Sequence, residues 1–239
     1  MPALAAMLVL LFYIPFLIHC SMLKFLRNNS LSIIFSILFL LALSGQILTG
    51  FIHHNDERKE EGQPPLGLTS YLQSGHFIQA TFENWESEFL QMGLFVMLTI
   101  SLRQKGSSES KKMEGKEEVD REPSALRKDA PWPVRKGGWV LSLYKNSMTI
   151  AFMLLFVFSY ICHFYGSLKD ENEQLSMKGL PLKSFGAYAL DARFWFESFQ
   201  NWQSEFLSVL AIVVFSIFLR QKGSPQSKPV DAPDNETGE

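Results

Sequence analysis

The chain has 239 residues, 47% of them hydrophobic, with 21 phenylalanines and a net charge of −2. Its apolar residues gather in long blocks between strongly charged stretches, the pattern of a small polytopic membrane protein rather than of one soluble core. The near-neutral charge argues against a nucleic-acid partner. The two cysteines, Cys20 and Cys162, lie inside apolar runs without CxxC or Cys/His spacing, so neither a disulfide framework, a metal site nor a cofactor is expected.

Residues 1–21, MPALAAMLVLLFYIPFLIHCS, are apolar but lack the basic head of a signal peptide. They read either as an extra helix, which would put the N-terminus outside, or as an upstream extension of a frame that starts at Met22. Lys24 and Arg27 then precede a first span over 31–52. It is long enough to cross a bilayer, which needs about 20 apolar residues. His53, His54, Asp56 and Glu57 follow and read as a solvated outer loop. The second apolar run, 89–102, holds only about 14 apolar residues, so to span a bilayer it must start earlier, inside FENWESEFL at 82–90. LRQKGS at 102–107 reads as a helix end, with basic residues near the C-terminal dipole and a stopping glycine. A polar, charged linker broken by Pro and Gly occupies 112–140.

The rest of the chain repeats the first part. At an offset of 117, residues 29–111 align without a gap on 146–228, with 28 of 83 positions identical, among them Asn29/Asn146, Tyr71/Tyr188 and LRQKGS. FQNWQSEFL at 199–207 is the second copy of FENWESEFL. The domains are therefore an extra segment at 1–21, a first repeat at 22–111, the linker, a second repeat at 141–228 with spans near 148–168 and 206–219, and an acidic tail at 229–239. The fold class is all-α membrane protein: four core spans in two hairpins, the halves parallel about an axis along the membrane normal. Eleven Lys/Arg between Arg103 and Lys145, against six in the two opposite loops, put the linker and the C-terminus in the cytoplasm.

Helical spacing divides the repeated motif into two faces. Phe82, Trp85 and Phe89, with Phe199, Trp202 and Phe206, form an aromatic side suited to the headgroup belt. Asn84, Ser87 and Glu88, with Asn201, Ser204 and Glu205, form a polar side suited to the bundle interior. Glu88 lies about 21 Å of helix from Leu102, and Gln46 about 22 Å from Leu31, so the two share a depth near the outer interface. His163 and Glu205 are their counterparts in the second repeat. Gln46, Glu88, His163 and Glu205 thus form a candidate polar intramembrane site. Two interpretations stay open: hydrogen-bonding glue between helices, or a site for a proton, a small cation or a lipid headgroup. The change of Glu83 and Glu86 to Gln200 and Gln203 suggests that those two charges are dispensable, and His76 becoming Arg193 suits a headgroup contact. No GxSxG, HExxH, P-loop or dinucleotide fingerprint is present, so no enzyme activity is expected. The expected partners are the lipid bilayer, a small ion or lipid, and a second copy of the chain.

FLRNNSLS, SGQILTG, YLQSGHF followed by FENWESEFLQ, and FLRQKGSPQSKPV together resemble an uncharacterised bacterial family of small two-repeat integral membrane proteins. The resemblance covers about 22–230. It implies a location in the bacterial cytoplasmic membrane and the two-unit layout, favours Met22 as the start, and supplies no activity.

Overall fold

The computed structural model describes residues 22–238, and the expectation for 1–21 falls outside them. Among the described residues the chain is helical, without strands. The main helices are α1 (Ser30–Glu60), α2 (Leu68–Leu72), α3 (Gly75–Leu98), α4 (Trp132–Lys136), α5 (Gly138–Lys145), α6 (Ser147–Met177), α7 (Phe185–Tyr188) and α8 (Ala192–Phe218), with a 3₁₀ turn at Glu118–Asp120. The chain divides into two compact units, one up to Leu68 and one from Thr69 onward.

The first unit is dominated by α1. Its 31 residues make a rod of about 46 Å, longer than the roughly 30 Å hydrocarbon core of a bilayer. Ile34, Phe35, Leu38 and Leu41 are exposed along it. The charged stretch from His53 to Glu60, expected as a loop, continues the helix, and His54 and Arg58 are buried. The helix ends where Gln63 N–H bonds back to the Arg58 carbonyl, a closure that Gly62 permits at φ 72. Asn55 then clamps the returning chain, donating to the Leu66 carbonyl and accepting from Leu66 N–H.

In the second unit α3 and α6 run antiparallel in close contact, and glycines allow it. A Cβ on Gly75 would fall 2.2 Å from the Asp170 backbone nitrogen, and one on Gly166 would fall 2.5 Å from that of Gln79. Farther along, Gly93 faces Phe152 and Met153. Small residues that let backbones approach are the usual means of helix association where lipid removes the hydrophobic drive. α8 runs parallel to α3 and meets α6 through aromatic rings, Phe194 lying 4.9 Å from Phe164 and 5.5 Å from Tyr160. Tyr188 and Phe194 complete this small buried cluster.

Local details recur at the spacing of 117. α1 and α6 are both 31 residues long and begin 117 positions apart, as do the starts of α3 and α8. Asn172 clamps Lys183 as Asn55 clamps Leu66. Ser74 caps α3 through Phe77 N–H, and Asp191 caps α8 through Arg193 N–H. α3 and α8 both start seven residues before the FENW and FQNW motifs. They end at Leu98 and Phe218, so the second runs enter the helices earlier and leave them sooner than the expected 89–102 and 206–219. At LRQKGS the glycines have positive φ, 89 at Gly106 and 85 at Gly223. Ser110 and Ser227 hydroxyls accept from Gln104 and Gln221 N–H in matching turns.

Candidate functional site

His163 stands sixteen residues from the start of α6, about 24 Å along its axis, and is wholly buried. Its Nδ1 lies 2.7 Å from Glu86 Oε2. Its Nε2 lies 3.4 Å from Glu197 Oε2 and 3.8 Å from Glu83 Oε2. α3 supplies Glu83 and Glu86 one helical turn apart, and α8 supplies Glu197, so three helices converge on one imidazole.

Each carboxylate is held by further donors. Glu86, itself wholly buried, accepts the Trp202 indole N–H at 2.8 Å. Glu83 accepts from Asn201 at 3.2 Å and Gln79 at 3.4 Å. Glu197 accepts the Ser167 hydroxyl at 2.5 Å and Arg193 Nε at 2.9 Å. Ser167 also bonds the Tyr188 hydroxyl. Arg193, expected at a headgroup, spreads its guanidinium over Asp170, Glu171 and Glu197. Lys183 closes the far end of the network, at 2.8 Å from Glu171 and 2.6 Å from Asp191.

In this loop the charges tune one another. The Asp191 carboxylate, helped by Glu171, holds the Lys183 ammonium above its ordinary value, and Lys183 holds Asp191 below the usual carboxylate range. Burial pushes the Tyr188 phenol up to about 12.

Six carboxylates of this network, Glu83, Glu86, Asp170, Glu171, Asp191 and Glu197, face two permanent cations, Arg193 and Lys183. A charged His163 reduces the excess of negative charge without removing it. Glu86 and Asp170 are buried and the other four partly so; because buried charge without a partner is costly, the arrangement favours bound protons or another cation.

The expected residues are distributed as follows. His163 meets glutamates, but they are Glu86, Glu83 and Glu197 rather than Glu205. Glu205, half-buried, lies beside the exposed Glu88, so these two carboxyls face each other. Gln46 is half-buried on α1, in the other unit. Asn201 serves Glu83, whereas Asn84, Ser87 and Ser204 bond back to their own helices. Of the aromatic set, Phe82 stacks edge-on with Trp85 and Phe158, and Phe89 is half-buried. Phe199 and Phe206 are exposed. Trp202 turns its indole N–H inward to Glu86 instead of outward to the interface.

Glu83, Glu86, Glu197 and Arg193 were not among the residues expected at the site. They are positions where the two copies differ: Gln200, Gln203, Ala80 and His76 stand opposite them. One signal does reach the sequence level. Arg193, Glu197 and Asn201 recur every fourth residue and so share one face of α8.

Fold and site together define a helical protein in which, among the described residues, three helices, α1, α6 and α8, are long and apolar enough to cross a membrane. They are compatible with a membrane protein whose buried interior carries a polar cluster. The chain belongs to the family described as a domain of unknown function, DUF6766, whose model matches residues 22–239. The match starts at Met22 and extends past the expected limit of 230 through the acidic tail. No curated protein and no solved structure matches the chain.

Proposed function

We propose that this is a multi-pass protein of the bacterial cytoplasmic membrane that binds a small cation at the His163 cluster and lets it pass. α3, with Glu83, Glu86 and Glu88, would be the fourth span beside α1, α6 and α8. The helices would form two parallel hairpins produced by duplication, with the C-terminus in the cytoplasm. The matched helix starts and the matched Asn clamps support duplication. The role is non-enzymatic.

The observation that carries this proposal is the wholly buried His163 hemmed by three carboxylates in the interior of an apolar helix bundle. Ionisable groups at such positions mark ion paths. Along α3 the polar groups descend from Gln79 through Glu83 and Glu86 to Glu88, nine residues or about 14 Å of a path. The Glu88–Glu205 pair forms its inner step.

The test is flux of protons, monovalent cations and Zn²⁺ into proteoliposomes. Wild type is compared with Glu86→Gln and with the Glu88→Gln, Glu205→Gln pair. Flux that these variants abolish while remaining folded supports passage, and absence of all three fluxes in wild type overturns it. A second interpretation, a non-catalytic envelope protein that binds lipid or a membrane partner, draws support from exposed apolar residues at the outer end. Phe185, Leu190, Phe196 and Phe199 are 70%, 86%, 67% and 56% exposed. It predicts no flux, and weakened lipid or partner binding on Phe196→Ser with Phe199→Ser.

A further inference from the structure

We infer that Glu83, His163 and Glu197 form a binding site for a divalent first-row transition-metal ion. This assignment rests on reading the cluster as a cation site and names the class of cation. It departs from the expectation of no metal, because the ligands come from three helices and leave no local spacing to find.

The argument starts from the imidazole. Glu86 already accepts the Trp202 N–H, and a carboxylate can only accept, so the short contact at Nδ1 is a donation from His163 to Glu86. In the neutral ring Nε2 then carries the lone pair. It points at Glu197 Oε2 and Glu83 Oε2, which are acceptors as well. Three electron pairs converge, and the three atoms lie within 4.8 Å of one another.

The spacing fits a metal. Zinc–nitrogen and zinc–oxygen bonds of about 2.0–2.2 Å at a tetrahedral angle put ligand atoms about 3.4 Å apart. The observed Nε2 separations are 3.4 and 3.8 Å. Imidazole and carboxylate are both zinc ligands, and three protein ligands leave a fourth position to solvent or to a passing ligand.

The surroundings fit as well. A ligating histidine characteristically donates its other ring N–H to a carboxylate, as His163 does to Glu86. Ligating carboxylates are themselves hydrogen-bonded, as Glu197 is by Ser167 and Arg193, and Glu83 by Asn201 and Gln79. A divalent ion also offsets the excess of negative charge twice as well as a proton on His163.

The test uses the full chain without a polyhistidine tag, stripped with chelator and reconstituted in detergent with Zn²⁺ or Co²⁺. Expected are one metal equivalent by mass spectrometry and the intense visible bands of tetrahedral Co²⁺. His163→Gln, Glu83→Gln and Glu197→Gln should each abolish both signals. Glu86→Gln should weaken binding by about 10–100-fold, and His53→Ala on the exposed flank of α1 should leave it unchanged. Absence of binding to wild type overturns the site, as does one equivalent that survives His163→Gln or an octahedral Co²⁺ spectrum. Should the ligand variants fail to fold, the wild-type Co²⁺ spectrum decides alone. Metal binding without flux keeps the site and removes passage. Flux without metal binding keeps passage and leaves a proton or a monovalent ion as the cation.

Discussion

At the scale of single residues, the Glu86–His163–Trp202 contact matters most. Glu86 gives one oxygen to an imidazole and the other to an indole, and is itself wholly buried. Glu86→Ala leaves the buried His163 N–H unpaired, at about 1–3 kcal/mol, and the half-buried Trp202 N–H with it, at a smaller cost. We expect a clearly lower midpoint of thermal unfolding in detergent for Glu86→Ala. Glu86→Gln, which retains one acceptor oxygen, should fall between it and wild type. Tyr188 offers a pH test. Its folded pKa, about 12, lies above the phenol's ordinary value of 10.0 because the group is buried. The folded state therefore holds the proton longer than the unfolded state. The stability is fully present below pH 10 and is lost as pH rises through 12. Titrating tyrosinate absorbance of wild type against Tyr188→Phe should show one phenol ionising about two pH units late, and unfolding in the same window.

At the scale of elements, the α3–α6 contact is set by absence of side chains. Gly166 meets the backbone of Ile78 and Gln79, so a methyl group there has no flexible neighbour to displace. Gly166→Ala should force the helices apart and cost roughly 1–3 kcal/mol, as overpacking does. Because Glu83 and Glu86 ride on α3 and His163 on α6, the same substitution should also weaken cation binding. Gly45, with nothing near its Cβ position, is the control: Gly45→Ala should leave unfolding unchanged or slightly raised. Helix extents were only partly legible. The apolar runs announced α1 and α6, but hydropathy faded at His53 and Lys169 while the helices continued through Glu60 and Met177. Backbone hydrogen bonds propagate through charged residues until a glycine such as Gly62 or Gly179 allows the chain to turn.

At the scale of the whole molecule, the distribution of Lys and Arg makes a topology prediction. In a chain with Cys20 and Cys162 changed to serine, a cysteine at Ser124 in the linker should react with an impermeant maleimide only after the membrane is opened. A cysteine at Glu61, beyond α1, should react in intact cells. The reverse pattern removes the proposed orientation. On the linker side the C-terminal tail is built into the second unit. Lys228 donates to the carbonyls of Pro233, Asp234 and Glu236, and Thr237 accepts from Gly106 N–H.

The sequence by itself determined the helical class, the apolar runs of α1, α6 and α8, the self-alignment at an offset of 117 residues and the family, because periodicity and composition are local and are read along the chain. It also singled out Glu88 and Glu205 through identity between the copies, each as the partner of Gln46 or His163 rather than of the other. It passed over Glu83, Glu86, Glu197 and Arg193, because comparing the copies favours what both retain. A cluster built around one imidazole cannot be two-fold symmetric, so its ligands are the residues that diverged. Only tertiary structure decided that Glu86 and His163, 77 positions apart, share a hydrogen bond. The approach of α3 to α6 across their glycines brings the two elements together, and no feature of either segment alone encodes that distance.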